Sequence, residues 1–129
     1  MKLKIKKLTV KKDDRGWLAE IIRPEFVNSK ELGQIFLTIA MPGKTKGGHY
    51  HLRKTEWFCV IKGRGLLRIW NHKTNRTLEE RELKETNLEI VAMPLKYMHA
   101  IKNIGDEDMY LLVYISEPYN PHDPDTFYE

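Results

Sequence analysis

Period-two alternation is the feature that most limits what this chain can fold into. Stretches such as LKIKKLTV (Leu3 to Val10) and QIFLTIA alternate side-chain character or form short β-branched and aromatic runs, and no amphipathic helical pattern lasts beyond about two turns. The pattern predicts strands over Leu3 to Val10, Trp17 to Ile22, Gly33 to Met41, His49 to His51, Glu56 to Lys62, Leu66 to Asn71, Thr77 to Leu83, Leu88 to Ala92, Met98 to Asn103 and Met109 to Ser116. Turn signals at Pro42-Gly43, Lys62 to Gly65, Asn71 to Asn75, Met93-Pro94 and Ile104 to Asp106 separate them. So many short strands in 129 residues fill one domain, 1–129, and suit an all-β jelly-roll barrel, which hides its sheet edges and leaves a pocket at its mouth.

Composition narrows the class of function. No apolar stretch approaches a membrane span, and MKLKIKKLTVKK lacks the apolar block of a signal peptide, so a cytoplasmic protein with no membrane partner is expected. The single Cys59 lies among Trp57, Phe58, Val60 and Ile61, which excludes an internal disulfide and reads as a buried thiol in a reducing compartment. The net charge of +4 raises the question of an anionic partner. Its lysines alternate along strands or sit in turns, with no nucleic-acid recognition motif, so a small phosphorylated ligand suits them and nucleic acid does not.

The stretch GGHYHLRKTEWFCVIKG carries the chemistry. Side chains at i and i+2 of a strand leave the same face, with Cα atoms roughly 6.5 Å apart, so His49 and His51 can converge on one ion. A turn over Leu52 to Thr55 would return the carboxylate of Glu56 to the same pocket, and His99, on the strand after Met93-Pro94, is the best third imidazole. Three imidazoles and a carboxylate suit a divalent transition metal, zinc first, with iron, manganese, nickel or cobalt also accommodated. An isolated HxH pair is a weak signal that more often marks exposed or locally hydrogen-bonded histidines; the wider spacing alters the balance.

That spacing runs Gly43, His49-x-His51, Glu56, Gly63, then Pro94, His99, Asn103. It resembles the two signature motifs of the cupin superfamily, the double-stranded β-helix barrel, and the resemblance implies His49, His51, Glu56 and His99 as the metal set. Leu88 and Lys96 stand where the second motif usually has glycine. DDRGWLAEI, the segment from GQIF to LLRI, VAMPLKYMHAIKNIG and PHDPDTFYE further resemble the C-terminal cupin domain of capsular-polysaccharide UDP-sugar reductases, which epimerises a UDP-linked 4-keto-6-deoxy sugar at C3. dTDP-4-dehydrorhamnose 3,5-epimerase is a more distant resemblance.

The resemblance implies a metal-dependent nucleotide-sugar epimerase or isomerase of surface polysaccharide biosynthesis. It implies His49 as base, Tyr114 as the acid on a late strand, Asp123 or Asp125 as a steadying carboxylate, and Arg15 and Lys46 as contacts to the diphosphate. It also implies a homodimer. No GxGxxG opens a helix here, so the isomerising half is expected alone, serving a separate reductase. An imidazole that gives its lone pair to a metal cannot also accept a proton, so either Lys96 or Tyr97 moves the proton or His49 and His51 act directly. Two other classes share such a site: a non-catalytic metal-containing sugar-binding cupin and an iron-dependent dioxygenase.

Overall fold

The computed structural model describes residues 2–27 and 33–128. Eleven strands run through them in chain order: β1 (Ile5–Lys7), β2 (Val10–Asp13), β3 (Gly16–Ala19), β4 (Gln34–Ala40), β5 (Thr45–His49), β6 (Glu56–Lys62), β7 (Arg64–Trp70), β8 (Thr77–Lys84), β9 (Glu89–Ala92), β10 (Met98–Asn103) and β11 (Met109–Ile115). No α-helix occurs among the described residues, and so none there is long and apolar enough to cross a membrane. Every strand pairing is antiparallel. One sheet has the order β1-β9-β6-β11-β4, a second β5-β10-β7-β8, and β2-β3 form a separate hairpin.

The two larger sheets face each other across the core. Phe58, Val60, Val91 and Val113 from the five-stranded sheet meet Leu67, Ile69, Leu83 and Ile101 from the four-stranded one. A second apolar layer, with Leu8, Val27, Trp57, Cys59, Ile90 and Tyr114, covers the outer face of the five-stranded sheet. Two buried faces explain why β6 reads EWFCVIK, a nearly continuous apolar run with five consecutive buried residues. Alternation along β6 therefore sends Glu56, Phe58 and Val60 inward, and Trp57 and Cys59 outward.

Three predicted strands differ from those observed by more than two residues at an end, and the simplest case is Trp17 to Ile22, which stops at Ala19. The stretch Leu3 to Val10 is divided, because the partner of β1 ends: Lys7 pairs with Glu89, the Leu8 N–H donates to the Leu88 carbonyl at 2.9 Å, and the chain preceding β9 turns away at Glu85-Thr86. The chain then pairs with itself as the β2–β3 hairpin. The strand carrying the first histidines is Thr45–His49 rather than 49–51; Tyr50 makes only an isolated bridge to Phe127, and His51 lies beyond it. Glycine permits this upstream extension: Gly47 has φ +94°, and a Cβ there would lie 2.8 Å from the His99 carbonyl oxygen.

Cys59 is 1% exposed, and burial pushes its thiol up to about 12. An aromatic disulfide reagent at pH 8 will leave the native chain unmodified and will titrate one thiol once guanidinium unfolds it; rapid native labelling would contradict the placement of Cys59 beneath the outer apolar layer.

Candidate metal centre

Three strands and one loop bring the predicted ligands together. His99 leaves β10 on the inner side with Ile101, and His49, the last residue of β5, pairs with it directly across the two strands. A bulge between His99 and Ala100 adjusts the register there. His51 follows two residues later, and Glu56 opens β6 on its inner face. The Nε2 atoms of His51, His99 and His49 lie 2.5, 3.1 and 3.6 Å from the same oxygen, Oε1 of Glu56. One ligand atom from each of the four residues lies within 4.8 Å of the others.

The protonation of this group is constrained. His51 Nδ1 lies 2.7 Å from the carbonyl oxygen of Asp125, which can only accept, so Nδ1 carries the hydrogen. If the ring is neutral, its Nε2 lone pair then points at Glu56 Oε1, and only a proton or a cation between them relieves the repulsion. Burial disfavours the Glu56 carboxylate, but its contacts with His49, His51 and His99 outweigh burial and hold its pKa below the carboxylate range. Burial dominates at His99 in the other direction and pushes its pKa down, against the pull of Glu56. Glu56 is thus poised to be an anion among rings of which at least one resists becoming a cation.

A divalent ion among the four side chains satisfies both demands, since it replaces ring protons as the counter-charge. Tetrahedral ligands about 2.1 Å from zinc stand roughly 3.4 Å apart, and the three nitrogen–oxygen separations bracket that spacing. The residues fit a metal of the zinc, iron, manganese, nickel or cobalt group by donor type.

The surrounding turns support the arrangement. Lys96, in a position where this type of turn favours glycine, adopts the left-handed conformation itself at φ +73°, and its N–H donates to the His51 carbonyl at 2.8 Å. The lysine side chain is exposed, so it adds strain to the turn without filling the pocket. Asn103 is structural: its amide donates to the carbonyls of Ala40 and Glu107, and its Oδ1 accepts from the Gly105 N–H.

The remaining predicted site residues lie elsewhere. Tyr114 is not brought to the histidines. It pairs with Trp57, packs its ring 5.3 Å from that indole, and belongs to the outer apolar layer, on the sheet face opposite Glu56. The reason is parity: Ile115, not Tyr114, is the partner of Glu56. Arg15 sits at the turn of the β2–β3 hairpin, 86% exposed along its side chain and bound to Asp13. Lys46 is half-buried and pairs with the inward-facing Ile101, so it leaves β5 on the same side as His49. Asp123 pairs with Arg53, while the carboxylate of Asp125 receives the N–H groups of Leu52, Arg53 and Lys54 rather than a histidine. Burial resists charge on Asp125, yet those three amides hold its pKa below the usual carboxylate range.

Sequence reasoning missed Tyr128. Its ring stands edge-on to His49 with centroids 5.9 Å apart, and the side chain is 70% exposed at the mouth. Phe127 anchors it through paired main-chain hydrogen bonds with Tyr50, each 3.0 Å. Nothing in the spacing of the segment's aromatic residues signals which one faces the histidines.

An antiparallel jelly roll with this inward His/Glu set at its mouth is a cupin, and solved sugar-modifying enzymes share the fold. A 3'-monoepimerase from Streptomyces bikiniensis, in complex with dTDP-quinovose, superposes with a TM-score of 0.82 at 17% identity, covering 98% of this chain and 68% of the other. The family model described as Polysaccharide biosynthesis C-terminal domain matches residues 11–127, and the chain belongs to that family. A UDP-2-acetamido-2,6-beta-L-arabino-hexul-4-ose reductase from Pseudomonas aeruginosa is 35% identical over 115 residues, 89% of this chain and 29% of the reductase. The capsular polysaccharide assembling protein CapF from Staphylococcus aureus, solved by crystallography, is also 35% identical, with a TM-score of 0.72, and the match covers 94% of this chain and 34% of that one. This chain therefore spans about a third of those two proteins. Spore coat polysaccharide biosynthesis protein SpsL from Bacillus subtilis is 25% identical over 127 residues, 95% of this chain and 84% of its own length.

The close approach of β5 to β10 generates a test. Gly47→Ala adds a Cβ against the His99 carbonyl at a left-handed position, and urea denaturation should show a loss of about 1–3 kcal/mol. Unchanged stability would mean that the two histidine strands are not held so tightly.

Proposed function

We propose that this chain is a metal-dependent epimerase or isomerase that acts next to the ketone of a 4-keto-6-deoxy hexose carried on a nucleotide, in polysaccharide biosynthesis. The observation that carries the reading is the convergence of His49, His51 and His99 on one Glu56 oxygen, inside a barrel whose family belongs to polysaccharide biosynthesis. A divalent ion held by these four residues would supply Lewis-acid polarisation of the sugar carbonyl.

Epimerisation beside a ketone also needs a base for the α-proton and an acid to return it. His49 is the most exposed of the three rings, with 21% of its side chain accessible, and its Nε2 is farthest from Glu56. It is the ring best placed to exchange a proton with a substrate at the mouth when it is not serving as a ligand. Tyr128, beside it, takes the place that sequence reasoning gave to Tyr114. Lys46 presents a point charge to the diphosphate from the inner side of β5. Arg15, on a hairpin separate from both barrel sheets, is available to a second copy, and a homodimer built through the N-terminal segment is part of this reading. So is a separate reductase acting after this chain, because the relative that it matches over less than a third of its length bears a reductase name.

The position of Tyr114 supports one alternative, a barrel that binds the sugar without turning it over. Incubation of the metal-loaded protein with a UDP-linked 4-keto-6-deoxy-N-acetylhexosamine in D2O separates the two. Catalysis predicts deuterium at C3 by NMR, abolished by Glu56→Gln and slowed roughly 10–100-fold by Tyr128→Phe. Ligand-induced thermal stabilisation without any deuterium incorporation would establish the binding module instead.

A further inference from the structure

Four consecutive residues direct hydrogen bonds into one residue of the C-terminal segment. His51 Nδ1 donates to the main-chain oxygen of Asp125 at 2.7 Å. The N–H of Leu52 donates to its Oδ1 at 3.1 Å, and those of Arg53 and Lys54 to its Oδ2 at 2.9 and 2.8 Å. Successive amides that enclose a carboxylate form an anion nest, so the turn between the second histidine and Glu56 is wrapped around this side chain. Asp125 is 5% exposed and holds a left-handed φ of +47°, a conformation that aspartate tolerates better than most residues. Two residues on, the paired bonds between Phe127 and Tyr50 fix the same segment to the stretch between His49 and His51.

The main-chain contact has a chemical consequence. A neutral imidazole carries one ring hydrogen, and a carbonyl oxygen at Nδ1 requires it there. Nε2 is left with the lone pair, and Nε2 is the atom that faces Glu56 at 2.5 Å. With the hydrogen on the other nitrogen, His51 would present an N–H to the centre and could not be a ligand.

We propose that Asp125 is the positioning residue of the centre: its main-chain oxygen selects the ligating tautomer of His51, and its carboxylate holds that oxygen in place by gathering the 52–54 amides. The consequence for metal binding rests on the reading given under Proposed function, whereas the hydrogen on Nδ1 is fixed by the Asp125 carbonyl with or without an ion. The PDT element thus acts through turn geometry and a second-sphere hydrogen bond, not as a carboxylate partner of a histidine.

The test uses the full chain labelled with ¹⁵N-histidine, before and after Co²⁺ addition. In the metal-free wild type, ¹⁵N NMR should show His51 protonated at Nδ1. Asp125→Ala removes the two carboxylate oxygens that accept the three turn amides; His51 should then populate the Nε2–H form, and Co²⁺ affinity, read from the visible d–d absorption, should fall roughly 10–100-fold. Asp125→Asn keeps the shape and one acceptor oxygen, and should recover part of both signals. An Asp125→Ala protein that keeps both the Nδ1–H tautomer and wild-type affinity would overturn the proposal. Should that variant fail to fold, Asp125→Asn decides alone, and an unchanged His51 tautomer and affinity in it would be equally contrary. A wild type that takes up no Co²⁺ would defeat the metal reading, and the metal-free NMR comparison would still decide the role of Asp125.

Discussion

One oxygen atom organises the functional end of this barrel. Glu56 Oε1 is buried and faced by three imidazole nitrogens, and a carboxylate removed from water is costly unless charge or hydrogen bonds replace its solvation. Protons on rings of which two are buried would be a poor replacement, since burial already disfavours the charged form of His99. A divalent cation accounts for both the donor types and their spacing. The contrast with Arg81 and Glu89 is instructive: there a buried carboxylate has a guanidinium of its own and gathers no histidines.

The rest of the fold can be understood as the means of holding those donors. The inner face of β6 supplies Glu56, the bulged β5–β10 pair sets His49 beside His99, and the glycine at 47 lets the two strands approach. Backbone bonds from Lys96 to His51 and from Met93 to Glu56 tie the following connection to the same residues. The closing segment completes the enclosure, with Asp125 under the 51–54 turn and Tyr128 at the open edge beside His49. A single wall of such a site would leave a side chain free to rotate; here each of the four side chains except the mouth-facing His49 is at least 95% buried.

Much of this was legible in the sequence, for identifiable reasons. Strand alternation and turn residues are local signals, and the histidine spacing resembled a known motif, so the barrel and the four side chains that converge at its mouth were legible there. What failed was relational. The run LLVYI does not alternate, so its sequence gives no parity, and Tyr114 falls on the outer face only because Ile115 pairs with Glu56. The division of Leu3 to Val10 depends on where a distant partner strand ends. Asp125 was visible as an acid near the end of the chain, but its effect on His51 runs through a main-chain oxygen, which no residue type encodes. Lys96 shows the reverse case: an unexpected residue in a glycine-like position, accommodated by the turn at the cost of strain.

X-ray absorption at the metal edge, combined with metal analysis of the loaded protein, tests the central claim most directly. The account predicts about one ion per chain, bound by three imidazole nitrogens at about 2.0–2.1 Å and a carboxylate oxygen at about 2.0–2.2 Å, and largely lost in Glu56→Ala. A protein that takes up no ion, or a Glu56→Ala variant whose metal content and absorption spectrum match the wild type, would contradict it.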